Sequence, residues 1–137
     1  MITLKPIHYA LTAVILFATE VYIALFVDDA FIRPLFGDFL VVILIYCVLM
    51  SLAPFRVVPA LLLVFVFAVM VELLQLTNLS SWASMNIGSW VRIVLGHQFS
   101  WLDIVMYAAG LLFTGAVEWV FQQTFRFKRN NLSTASK

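Results

Sequence analysis

Seven acidic residues occur in this chain of 137. Glu20, Asp38, Glu72 and Asp103 stand in or at the edge of long apolar runs. A charged side chain inside hydrocarbon costs about 2.5–3.5 kcal/mol on insertion scales, so each of these residues needs a reason to be there. Carboxyl groups gathered in a low-dielectric medium either pair with a cation or bind protons. Gln75 follows Glu72 by three residues, which makes the two neighbours on one helical surface. Arg33 and Arg92 add guanidinium groups, which hold phosphate through paired hydrogen bonds. The candidate functional cluster is therefore Arg33, Asp38, Glu72, Gln75, Arg92 and Asp103, together with Glu20. No catalytic residue emerges: Ser100 and His97 are close in sequence, yet no pattern orients them as nucleophile and base. No cofactor or metal site is expected, because the chain has no Gly-rich phosphate loop and no Cys/His cluster.

The elements that must position these residues follow from composition. The chain is 64% hydrophobic and 11% charged, whereas a soluble domain averages about 45–50% apolar and about 25% charged. A net charge of +1 provides no basic face for nucleic acid. One cysteine, Cys47, excludes an internal disulfide and reads as a small apolar residue mid-span. Four runs approach the roughly 20 residues needed to cross a bilayer: Ile7 to Val27, Phe39 to Ala53 (extendable back to Leu35), Val57 to Thr77, and Trp101 to Gln122. Continuous apolar runs predict helices rather than a barrel. The first run is too long for a signal peptide and lacks a clear cleavage site, so it reads as a retained helix. The expected fold is an all-α membrane protein, a four-transmembrane-helix bundle over 1–129 with a disordered polar tail at 130–137.

Basic residues set the expected orientation. Lys5, Arg56, Arg126, Lys128, Arg129 and Lys137 fall on one side, and only Arg33 and Arg92 on the other. Both termini are therefore expected in the cytoplasm, with the connections at 28–38 and 78–100 facing outward. Pro34 and Gly37 mark a tight return in the first connection. In the second, Ser89 to Leu95 reads as a short interfacial helix between helices three and four, with Trp82, Trp90 and Trp101 at headgroup level. His8 and His97 would lie on opposite sides of the membrane, which disfavours a paired-histidine site within one chain.

With a rise of about 1.5 Å per residue, Glu20 lies roughly 10 Å, Glu72 roughly 7 Å and Gln75 roughly 3 Å below the outward boundary. Asp38 and Asp103 open their spans from the same side, so every span offers one acid to the outer leaflet. Helical spacing aligns Asp103, Tyr107, Gly110 and Thr114 on one stripe, with Gly110 and Thr114 as a small-xxx-small pair, and places Ala13, Glu20 and Ala24 on one face. Simpler readings compete. Asp38 could cap span two, and Ser100 with Asp103 matches a capping box. Arg33 and Arg92 could bind lipid phosphates only, and Glu72 with Gln75 could clamp helices. Glu118, near the inner end and within reach of Arg126 or water, reads as structural.

The run Asp29-Ala30-Phe31-Ile32-Arg33-Pro34-Leu35-Phe36-Gly37-Asp38, then Glu72-Leu73-Leu74-Gln75, Arg92-Ile93-Val94-Leu95-Gly96 and Phe99-Ser100-Trp101-Leu102-Asp103, resembles a family of small bacterial inner-membrane proteins of unknown function. More distantly, the order of an outer acid, E-x-x-Q, a loop arginine and a span-opening aspartate resembles the VanZ-like proteins. The resemblance implies that Arg33, Asp38, Glu72, Gln75, Arg92 and Asp103 act together in a multi-pass protein of the bacterial inner membrane, and it implies no reaction. The expected function is interaction with lipid or a lipid-linked envelope precursor. The alternatives are a small proton-coupled transporter working as a homo-oligomer, a structural accessory subunit, and, ranked last, an outer-leaflet enzyme.

Overall fold

A computed structural model describes residues 5–27, 32–53, 55–76, 85–86 and 100–134, with side chains left undescribed at 32, 33, 75, 76, 126 and 128–134. Four helices account for nearly all of this: α1 Pro6–Phe26, α2 Ile32–Leu52, α3 Val57–Leu76 and α4 Trp101–Thr134. All four are long and apolar enough to cross a membrane, over Pro6–Phe26, Pro34–Leu52, Val57–Leu74 and Trp101–Phe125. Hydrocarbon cannot satisfy free backbone groups, so a continuous apolar run must close its hydrogen bonds within its own helix. The expected short helix at Ser89 to Leu95 lies outside the described residues. The backbone of α4 is helical through 130–134, within the segment expected to form a disordered tail.

Helix α2 begins earlier than the apolar run alone indicates. Pro34 and Gly37 lie inside it rather than in a tight return, and Asp38 stands six residues past its start. The reason is local: the first turn of a helix has no use for its N–H groups, so a proline there costs nothing. Asp38 is consequently not the cap of this helix. Pro6 opens α1 on the same principle, after Lys5, which makes no side-chain cap. Near Pro59, α3 starts with Ala60 N–H donating to Arg56 O at 3.1 Å.

The helices alternate in direction. The distal end of the bundle holds Phe26, Ile32, Leu76 and Trp101, and the proximal end holds Pro6, Leu52 and Val57. Helix α2 packs against the other three. Its face Val42, Tyr46 and Met50 meets Ala60, Val64 and Ala68 of α3, Tyr107 and Leu111 of α4, and Tyr9 and Ala13 of α1 in one buried core. Spacings of three and four repeat on each helix, as an inward stripe requires. The packed seam of α1 runs through Tyr9, Ala13, Leu16, Glu20, Ile23 and Val27, while Ala24, expected to share it, is exposed. Large apolar side chains such as Leu11, Phe17, Leu62, Phe67, Leu112 and Trp119 cover the outside, the surface that contacts lipid. On that surface Thr12 and Thr19 return their hydroxyls to His8 O and Ile15 O, each at 2.9 Å, so they carry no unmet donor into the bilayer.

At Gly110 the helices α2 and α4 come into close contact. A Cβ added there would stand 2.6 Å from Phe39 O and 2.6 Å from Val42 Cγ2. The small-xxx-small pair therefore admits α2, while the other member, Thr114, bonds its hydroxyl to Gly110 O at 2.8 Å.

Candidate functional site

Three of the expected acids meet at the distal end. Glu72, near the end of α3, is fully buried at 0% exposure. Its Oε1 accepts the backbone N–H of Ser100 at 2.7 Å, and its Oε2 is 3.4 Å from the Tyr107 hydroxyl, which donates. The same hydroxyl is 3.4 Å from Asp38 Oδ1. A tyrosine has one proton to give, and both separations exceed the usual 2.7–2.8 Å or so for O–H···O bonds. Tyr107 therefore sits between two carboxyl groups without closing fully on either. Asp103, one turn before Tyr107, lies within hydrogen-bonding reach of Asp38 and near Glu72. Three helices thus supply three carboxyls around one phenol.

The local reason lies in the start of α4. A capping box would have Asp103 accept the Ser100 N–H. Glu72 takes that N–H instead, from another helix, and Asp103 is left to face Asp38. Glu20 adjoins the group without joining it: its Oε2 is 3.7 Å from the place a Gly37 Cβ would occupy, and its buried Oε1 has no partner among the described residues. The Arg33 backbone lies in the first turn of α2 and that of Gln75 in the last turns of α3, with neither side chain described; Arg92 lies outside the described residues. Among the described residues no group of three or more His, Cys, Asp or Glu could hold a metal ion.

Chemically, carboxyls that face one another beside hydrocarbon repel when ionised. A proton held between them or a cationic group relieves that repulsion.

A family model described as protein of unknown function, DUF2809, matches residues 27–111. The chain belongs to that family. The DUF2809 match spans α2, α3 and the first turns of α4, so Arg33, Asp38, Glu72, Gln75, Arg92, Asp103 and Tyr107 all fall within it, while Glu20 and Glu118 fall outside. No curated protein matches the chain, and no solved structure does.

A second polar group lies toward the proximal end, around the Glu118 that the sequence reads as structural, and its two tyrosine partners are not expected from the sequence. Glu118 of α4 is 5% exposed. Tyr9 of α1 donates its hydroxyl to Glu118 Oε1 at 2.5 Å, and Tyr46 of α2 donates to the same oxygen at 3.1 Å. The two rings meet edge to face, with centroids 6.2 Å apart. A usable signal was present: phenols deep in apolar runs need partners, and Glu118 lies seven residues, roughly 10 Å, inside the end of its span.

Proposed function

We propose that the distal carboxyl cluster of this integral membrane protein binds the cationic part of a headgroup at the membrane surface, on a lipid or a lipid-linked envelope precursor. One observation carries the reading: Asp38, Glu72 and Asp103, from three helices, gather around the Tyr107 hydroxyl. An ammonium group would donate to these oxygens and relieve their mutual repulsion. Arg33 and Arg92 are assigned to the adjoining phosphate, with the cluster on the outward side of a bacterial inner membrane and both termini cytoplasmic. Lipids copurifying with the full chain in mild detergent, read by mass spectrometry, test this. Replacing both Asp38 and Asp103 by Asn is expected to deplete amine-bearing phospholipids, and Arg33→Ala with Arg92→Ala to deplete phospholipids generally. An unchanged lipid profile in both variants overturns the reading.

A second reading, a small proton-coupled transporter of more than one copy, is favoured by Glu20, whose buried Oε1 lacks a partner among the described residues. Four helices barely enclose a pathway, so a strictly monomeric state in mild detergent counts against it.

A further inference from the structure

The proximal group has an unmet requirement that the distal cluster does not share. Both phenol protons, from Tyr9 and Tyr46, are directed at Glu118 Oε1. Glu118 Oε2 is buried and has no partner among the described residues. Among the described residues no side chain donates to it. The thiol of Cys47 on α2, a weak donor, is buried and feels the charge of Glu118 without bonding to Oε2. The buried residues of the proximal half of α3, Val57, Ala60 and Val64, are apolar, and on α4 the hydroxyl of Thr114 is turned to Gly110 O. Lys5, His8 and Arg56 are exposed. Arg126 lies eight residues, roughly 12 Å, further along α4.

We propose that Glu118 Oε2, with the phenol oxygens of Tyr9 and Tyr46, forms a second site in the proximal half of the membrane that takes a small monovalent cation, a proton carried as hydronium or an alkali ion. The phenols give their hydrogens to Oε1 and keep lone pairs, so their oxygens and Oε2 make an all-oxygen set from α1, α2 and α4. Hard cations choose oxygen ligands, and one carboxylate matches one positive charge. A divalent ion would leave one positive charge without a counter-charge beside this single carboxylate, deep among apolar side chains. The phenols fix the carboxyl plane by holding one oxygen, which leaves the other presented to the ligand. This site is independent of the distal one, and its test reads Glu118 alone.

The probe is dicyclohexylcarbodiimide, whose central carbon is attacked by a carboxyl oxygen while the proton of that carboxyl passes to a carbodiimide nitrogen, so only a protonated carboxyl is labelled. The full chain in mild detergent is labelled across a pH series in choline chloride and again in sodium or potassium chloride at equal ionic strength. The Glu118 peptide is read by mass spectrometry. Glu118 is expected to label, and labelling to fall as the pH rises if the ligand is a proton. Protection by sodium or potassium at constant pH identifies an alkali ion instead. Tyr46→Phe keeps the ring, and with it the packing, and is expected to shift the pH transition or weaken the salt protection. Glu118→Gln removes the signal. Absence of labelling in all conditions, or labelling indifferent to both pH and salt, overturns the proposal. So does a response that appears only in Arg126→Ala, which would show that Oε2 is paired with the arginine.

Discussion

The backbone N–H that opens α4, at Ser100, is held by the side chain of Glu72 from the far end of α3, at 2.7 Å. A bond normally made within one helix here joins two. It fixes where α4 begins relative to α3 and leaves Asp103 to face Asp38.

Glu72→Leu should therefore unpair the Ser100 N–H and remove one acceptor of Tyr107. Each buried donor left unmet costs about 1–3 kcal/mol. Glu72→Gln retains an acceptor oxygen and should lose less. Thermal unfolding in mild detergent, with hydrogen exchange at the start of α4, separates the two. Equal stability of Glu72→Leu and the wild type would show that this bond does not set the helix start.

Tyr107→Phe keeps the ring and removes only the hydroxyl between Asp38 and Glu72. Because both bonds are long, the expected loss of stability is small, about 0.5–1.5 kcal/mol. A double-mutant cycle with Asp38→Asn should show coupling. Strict additivity would place the two groups in separate environments.

Gly110→Ala places a methyl group against the Phe39 carbonyl and Val42, each 2.6 Å away. Backbone cannot yield as a side chain does, so a loss of about 1–3 kcal/mol or more is expected from overpacking. Gly115→Ala is the control. Its added Cβ meets only Leu61 Cδ1, at 3.3 Å, the flexible end of a side chain. If both variants melt alike, the close approach of α2 and α4 is not a constraint.

Tyr9 and Tyr46 donate to the same oxygen of Glu118, at 2.5 and 3.1 Å. Tyr9→Phe should cost more than Tyr46→Phe, with about 0.5–1.5 kcal/mol as the scale for a single hydrogen bond. The double variant should deviate from the sum of the singles. A smaller effect for Tyr9→Phe would reverse the assigned order of strength.

The membrane spans were the most legible part of the sequence, because bilayer thickness and unbroken apolar runs dictate them. The start at Val57 agrees residue for residue, and that of α1 differs by one. The start of α2 was misjudged because Pro34 and Gly37 are turn formers in most settings, and only their place in the opening turns makes them tolerable in this helix. Glu72 and Asp103 stood out because an acid in an apolar run is conspicuous. Their partners did not. A helical wheel shows which residues share a face but not which face of another helix it meets. The Tyr9–Glu118 bond spans 109 positions and the Tyr46–Glu118 bond 72. The capping box at Ser100 was a sound local rule overtaken by a carboxyl from 28 residues upstream.

The tight crossing at Gly110 has an electrical consequence. With Val42 and Leu111, it forms an apolar layer between the distal carboxyls and Glu118. From Tyr107 to Glu118 along α4 is roughly 16 Å, about half the hydrocarbon thickness. A transmembrane voltage falls mainly across apolar layers, so in an energised membrane the two polar groups would sit at different potentials. A unit charge moved between them would cross a large share of the about 2.3 kcal/mol that each 100 mV represents. The glycine that lets two helices touch thereby makes the bundle a small dielectric gap.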